Sequence, residues 1–103
     1  MSGRIGAFAS VSVFGGITMD RIGATAAAPV MGASNPGTVR SVPGGVGFNV
    51  ASVLARLGGR TRLIGAVGRD GDGEAALAAA RGAGVDPAAT VVADALPTAT
   101  YHA

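Results

Sequence analysis

A glycine-rich bend that leads into an amphipathic helix is the feature that most restricts how this chain can fold. Residues 43–49 read PGGVGFN, and the glycines carry no β-carbon, so main-chain N–H groups can approach a hydroxyl or an anion without collision. We expect the helix to open at Asn49, with its positive end pointing back at the bend. Its apolar residues recur at helical spacing: Val50, Val53, Leu54 and Leu57.

The residues after the helix predict a parallel sheet. Gly58 and Gly59 are expected to end the helix, and the run Leu63–Val67 has the form of a strand buried on both faces. A second glycine turn, residues 68–73, precedes an alanine-rich helix over 74–81 that Asp72 is expected to cap. Short strands are predicted at 91–92 and 98–101. The pattern indicates an α/β fold, a parallel sheet flanked by helices.

Two common ligand motifs do not fit the bend, although a tight turn without a ligand remains open. A P-loop needs a lysine that reaches the terminal phosphates, and this chain of 103 residues contains no lysine. A dinucleotide-binding turn needs a third glycine where Val50 stands.

Asp20 is the strongest single candidate for a ligand-binding side chain. A buried first strand that ends at Gly15-Gly16-Ile17 is predicted by the apolar residues Phe8, Val11, Val13, Phe14 and Ile17. Ligands of open α/β sheets bind beyond the carboxyl ends of the strands. Asp20 comes shortly after the end of the predicted first strand, so we expect it in that region. Its carboxylate can accept hydrogen bonds from paired sugar hydroxyls, while a turn aspartate or a helix cap is the alternative.

Residues 22–42 predict a projecting hairpin. Two short strands, 26–31 and 38–42, would flank a turn at Asn35-Pro36-Gly37. The apolar side of such an edge needs cover from a ligand, a partner or a second copy. Asn35 can reach the edge of a nucleoside base or close an Asx turn.

Composition and charge exclude several classes of function. The net charge is only +2 and the arginines are scattered, so we expect no nucleic-acid partner. Polar residues and glycines interrupt the amino-terminal apolar run, which disfavours a secretory signal, and no run has the length of a membrane span; we expect a cytoplasmic protein without a membrane partner. Asp70 and Asp72 lack a third ligand at usable spacing, and His102 stands alone, so no metal site is expected.

The segments PGGVGFNVASVLARLG and IGAVGRDGDG together resemble the amino-terminal signature of the PfkB (ribokinase-like) family of sugar and nucleoside kinases. The segment SNPGT, residues 34–38, is similar to pseudouridine kinases within that family. The resemblance implies a partial ribokinase-like three-layer sandwich. Residues 1–103 would form its amino-terminal part, with a lid hairpin at about 22–42 that also makes the dimer contact in many members.

The resemblance also implies an acceptor site in which Asp20 holds sugar hydroxyls, and in which Thr98 or Thr100 touches the substrate. An asparagine often found two residues before that aspartate is Thr18 here. Phe48 stands where pseudouridine kinases tend to carry arginine, and a stacking phenyl ring there would favour a different base or a plain sugar. The expected substrate-binding set is Thr18, Asp20, Asn35, Gly44, Gly45, Val46, Gly47, Asn49 and Thr100.

For the complete enzyme, the resemblance implies transfer of the ATP γ-phosphate, with Mg²⁺, to a primary hydroxyl of a nucleoside, pseudouridine being favoured. In that family the base aspartate and the ATP pocket lie in the carboxyl-terminal half. We therefore expect no catalytic residue in this chain, and no activity from it alone. The alternatives are a fragment of a ribose- or fructose-type sugar kinase, a non-catalytic ligand-binding or dimerising remnant, and a gene fragment without function.

Overall fold

Eight strands and two helices make up the computed structural model, which describes residues 10–103. They follow one another as β1 (Ser10–Phe14), β2 (Thr18–Thr25), β3 (Gly37–Gly44), α1 (Val46–Arg56), β4 (Arg60–Ile64), β5 (Ala66–Gly68), α2 (Gly71–Gly82), β6 (Val85–Asp86), β7 (Val91–Ala93) and β8 (Ala99–His102).

The strands form three small sheets, and most of their pairings are parallel. Strand β4 lies between β1 and β6 and is parallel to both, while β5 pairs in parallel with β7. Strands β2 and β3 form an antiparallel hairpin, and β8 joins the open edge of β2 in parallel. Parallel strands joined through helices, with a hairpin beside them, confirm the predicted α/β architecture.

Helix α1 contacts the strands through its small residues, and not through the predicted apolar stripe. A β-carbon on Gly47 would lie only 2.6 Å from the carbonyl carbon of Gly15, so the helix start and the end of β1 touch backbone to backbone. Ala51 is fully buried, whereas Val50, Val53 and Leu57 are 44%, 47% and 44% exposed. The core is formed by Ile17, Met19, Ala51, Leu63, Val67, Ala76, Ala80 and Val85.

Several predicted boundaries are wrong. Helix α1 begins at Val46 and not at Asn49, and the predicted strand over 63–67 is interrupted at Gly65, whose carbonyl accepts the amide of Val91 at 2.9 Å. The outer residues of β4, Arg60 and Arg62, are exposed, so that strand is buried on one face only.

The hairpin is longer than predicted and has a different first strand. Residues 26–31 lie in the connecting loop, and the strand that pairs with β3 is β2, from Thr18 to Thr25. In the first strand, Val11 and Val13 are half-buried but Phe14 is 77% exposed, and Phe8 lies outside the described residues.

Neither α1 nor α2, the helices of the described residues 10–103, combines the length and the apolar character needed to cross a bilayer.

Candidate functional site

The carboxylate of Asp20 lies against the glycine bend. Asp20 is on β2 and Gly44 ends β3, and a β-carbon added to Gly44 would overlap the carboxylate, with Cγ at 3.0 Å and Oδ1 at 3.3 Å. Gly44 is buried and Asp20 is half-buried. The carboxylate therefore occupies space that exists only because residue 44 has no side chain.

Thr18 orients that carboxylate. The two residues are separated by one position on β2, so their side chains share a face of the strand. The Thr18 hydroxyl donates to Oδ1 of Asp20 at 2.7 Å. An ionised carboxylate has about four acceptor positions, so this contact leaves most of them available to a ligand. Thr18 thus holds the neighbouring carboxylate in place.

The bend itself requires glycine and opens helix α1. Gly45 has φ 93° and ψ 149°, a region that essentially only glycine occupies, and a β-carbon there would lie 2.5 Å from the carbonyl oxygen of Gly16. Gly45 is also the N-cap of α1, without a side chain to satisfy the first helical amides. Val46 and Asn49 are both exposed in the first turn. The structure therefore places Gly44 against Asp20, and Gly45 and Gly47 against the Gly15-Gly16 backbone that follows β1.

Two predicted members of the site lie elsewhere. Asn35 sits in the loop at the far end of the hairpin, where its side chain accepts from the Val30 amide at 2.7 Å and donates to the carbonyls of Val30 and Ala33 at 3.1 and 3.0 Å. Thr100 pairs with Met19 and not with Asp20, so alternation along the strands places it on the opposite face of the sheet. Asn35 closes its own loop, and Thr100 points away from the Asp20 face.

Two further residues that were expected to contact the substrate or its base make contacts within the fold. Thr98 is buried, and its hydroxyl donates to Oδ1 of Asp70 at 2.6 Å and accepts the Gly68 amide at 2.9 Å, so it is fully used within the protein. Phe48 is half-buried and packs against the core cluster.

Asp70 and Asp72 are both engaged in contacts that support the fold. Asp70, and not Asp72, caps α2 by accepting the Gly73 amide at 2.8 Å. The Thr98 hydroxyl contributes most, with the amides of Thr98 and Gly73 after it, to holding the pKa of Asp70 below its usual range. Asp72 instead pairs with Arg21 of β2 at 2.5 Å, and this hydrogen bond raises the pKa of Arg21. No group of three metal-ligating side chains occurs within residues 10–103.

The sequence did not reveal which residues flank Asp20 across the sheet. Asp20 pairs with Val42 of β3 on one side and with Tyr101 of β8 on the other. Paired residues of neighbouring strands project from the same face, so Val42, Asp20 and Tyr101 form one row. Residues 98–101 alternate between threonine and other small or aromatic residues, and such a pattern does not show which of them face the bend.

Comparisons with known sequences identify the family of the chain. The model of the pfkB family carbohydrate kinases matches residues 9–103. An uncharacterized sugar kinase of Escherichia coli (strain K12) is 40% identical over 91 residues, which are 88% of this chain and 25% of that protein. The pseudouridine kinase of the same organism is 46% identical over 52 residues, which are 50% of this chain and 17% of that enzyme. These matches support the family without selecting pseudouridine kinases within it.

Solved structures show the same fold. A carbohydrate kinase from Agrobacterium tumefaciens superposes with a TM-score of 0.87 at 38% identity, over 93% of this chain and 31% of that one. An aminoimidazole riboside kinase from Salmonella enterica, complexed with aminoimidazole riboside and an ATP analog, gives a TM-score of 0.69 at 28% identity, over 88% of this chain and 27% of that one. The matched regions thus span only 17–31% of the length of these relatives. The ribokinase-like fold is confirmed, and the chain belongs to the pfkB family of carbohydrate kinases.

Proposed function

We propose that this chain forms the acceptor-binding part of a kinase that transfers the ATP γ-phosphate to a primary hydroxyl of a nucleoside or a sugar. The observation that carries the proposal is the position of the Asp20 carboxylate against Gly44, oriented by Thr18 at 2.7 Å and adjacent to the start of α1.

The chemistry of these groups suits a polyol. A carboxylate accepts hydrogen bonds from two neighbouring hydroxyls at once, and charge-assisted bonds of this kind are about twice as strong as neutral ones. Amides at the start of a helix donate to oxygen atoms, and the bend brings main chain close because glycine has no side chain. The proposed roles are binding and orientation, which count heavily in phosphoryl transfer because the reaction depends on placing the acceptor oxygen in line with the phosphate.

A nucleoside is the favoured acceptor in this proposal, with pseudouridine as its first candidate. Support comes from the SNPGT segment, from the match to a pseudouridine kinase and from the likeness to a riboside kinase. A plain sugar is the second candidate, since the longer curated match is to a sugar kinase. The nucleotide and Mg²⁺ would be held by other parts of the kinase, because the acidic pair Asp70 and Asp72 is committed to contacts within the fold.

A second copy is the proposed cover for the hairpin. Val30, Met31 and Val39 are 62%, 96% and 71% exposed, which is more apolar surface than a short hairpin usually presents to water. Sedimentation velocity over a range of concentrations tests for a dimer. A Val39→Lys variant should shift the equilibrium toward the monomer, and an unchanged monomer signal at every concentration contradicts the dimer.

The proposed activity is tested in the full-length gene product with ATP, Mg²⁺ and pseudouridine, ribose or fructose. Loss of a charged hydrogen-bond acceptor should reduce kcat/KM of Asp20→Asn by about tenfold or more on the preferred acceptor. Asp94→Asn is the matched control, because Asp94 is a surface carboxylate 78% exposed beside Arg69, and it should leave kcat/KM unchanged. Absence of phosphorylated product from all three acceptors contradicts the activity, and equal kcat/KM for wild type and Asp20→Asn contradicts the role of Asp20.

A further inference from the structure

Resting on the proposed function, we infer that Tyr101 is the residue that selects a nucleoside over a plain sugar, by stacking its ring on the planar base. Tyr101 is on β8 and pairs directly with Asp20 of β2. In this role Tyr101 is a binding residue for the part of the acceptor that carries no reacting atom.

The register of β8 fixes which face Tyr101 occupies. Asp20, Tyr101 and Val42 form one row across three strands, because register partners share a face. The neighbouring residue Thr100 pairs with Met19, whose side chain is 2% exposed and belongs to the core. Thr100 therefore lies on the face of the sheet that carries Met19, where its own side chain is exposed, and Tyr101 lies on the face that presents Asp20.

The surroundings of Tyr101 leave its ring available to a ligand. The side chain is 63% exposed, while the adjacent row on the same face consists of small side chains, with Ala99 and Gly44 on either side of Thr18. Neighbouring strands are about 4.8 Å apart, so one nucleoside is large enough to contact both the Asp20 side chain and the Tyr101 ring. A nucleoside presents the matching pair of groups, hydroxyls at one end of its ribose and a flat base at the other.

A plain sugar can make only one of these two contacts, the one with Asp20. Ribose or fructose offers hydroxyls to Asp20 but has no planar ring for Tyr101, so it gains nothing from stacking. Base–aromatic stacking typically changes affinity about 5- to 150-fold when the aromatic residue is replaced by alanine. Phe48, in the first turn of α1, packs against the core cluster.

The first test is the selectivity of the full-length gene product, measured as the ratio of kcat/KM for pseudouridine to kcat/KM for ribose. Tyr101→Ala should lower the ratio at least about fivefold, through KM for the nucleoside, with little change for ribose. Tyr101→Phe keeps the ring and should retain the ratio of the wild type. Thr100→Ala, one residue away on the opposite face, should leave the ratio unchanged.

The second test measures the fluorescence of the Tyr101 side chain. Tyr101 is the only tyrosine in the chain, which has no tryptophan, so the tyrosine emission of the 103-residue protein reports on this residue alone. Saturating pseudouridine should change that emission after correction for absorbance, and saturating ribose should not.

Two failures can be told apart. A wild type that phosphorylates acceptors while Tyr101→Ala keeps its selectivity, or matches Thr100→Ala, overturns the role of Tyr101 and leaves the proposed function intact. A wild type that neither binds nor phosphorylates pseudouridine or ribose overturns the proposed function, and the role of Tyr101 with it.

Discussion

Replacing Gly44 by alanine should weaken acceptor binding without unfolding the protein. The new methyl group would overlap the Asp20 carboxylate, whose Cγ lies 3.0 Å from the position of the β-carbon. The carboxylate is the far end of a rotatable side chain, so it can swing away and lose both its place and its contact with Thr18. The backbone of Gly44 is not in a conformation that excludes alanine, since its φ is not positive.

The magnitude follows from the contacts that are lost. A hydrogen bond to a charged group is worth about 1.5–3 kcal/mol, which corresponds to about a 10- to 150-fold increase in Kd for an acceptor held by Asp20. Stability should change by no more than about 1 kcal/mol, because the reduced entropy of the unfolded chain offsets part of the strain.

The neighbouring glycine provides the contrast. Gly45→Ala places a β-carbon 2.5 Å from the backbone carbonyl oxygen of Gly16, in a φ/ψ region that costs about 1–3 kcal/mol for other residues, so this variant should lose stability. Gly82→Ala is the matched control, since a β-carbon there meets nothing within 4 Å. Isothermal calorimetry with pseudouridine and ribose gives Kd, and urea unfolding followed by circular dichroism gives stability. Wild-type affinity in Gly44→Ala, or a loss of stability equal to that of Gly45→Ala, would refute this reasoning.

Three other predictions concern the stability of the fold and the ion pair between Arg21 of the hairpin and Asp72 of α2. Leu63→Ala should lower the free energy of unfolding by about 2–5 kcal/mol in urea titrations, since Leu63 is 1% exposed, whereas Leu96→Ala at a 71% exposed position should change it by no more than about 0.5 kcal/mol. The pKa of Asp70 is lower in the folded state, so its ionised carboxylate stabilises the fold above the ordinary carboxyl pKa of about 3.9, and this stabilisation is lost as the pH falls through the folded pKa. Asp70→Asn should therefore make the free energy of unfolding fall less steeply as the pH is lowered into the acid range. Arg21→Gln should speed proteolysis in the hairpin loop, residues 26–36, and adding Asp72→Asn should speed it no further, because both changes break the same ion pair.

The sequence predicted which residues meet at the bend, because glycine spacing and strand ends are local signals. Gly44, Gly45 and Asp20 come together as expected, although Asp20 lies within strand β2 and not in a turn after the first strand. The short link at residues 15–17 joins β1 to β2, so the hairpin begins earlier than its proline and glycine residues indicated.

The packing of α1 was harder to predict, because periodicity shows an apolar stripe without showing its partner. Gly47, Ala51 and Ala55 are spaced by four residues and form the surface that meets the strands, since only small side chains allow so close an approach. The larger residues Val50 and Val53 lie beside that contact and remain about half exposed.

Which residues of β8 lie on which face of the sheet depends on its long-range pairing with β2. Thr100 and Tyr101 are adjacent, and a shift of one residue exchanges the faces on which they lie. Only the register with β2 places Tyr101 beside Asp20 and Thr100 beside Met19.

The central claim is that the Asp20 carboxylate and the glycine bend together bind the hydroxyls of an acceptor, and an NMR titration of the ¹⁵N-labelled chain with pseudouridine and ribose tests it most directly. The amide signals of Asp20, Gly44 and Gly45 should shift in a saturable manner with both ligands, while the amide signal of Asn35 at the far end of the hairpin should not. Saturable shifts confined to the hairpin loop, or no saturable shift at the bend with either ligand, would contradict the claim.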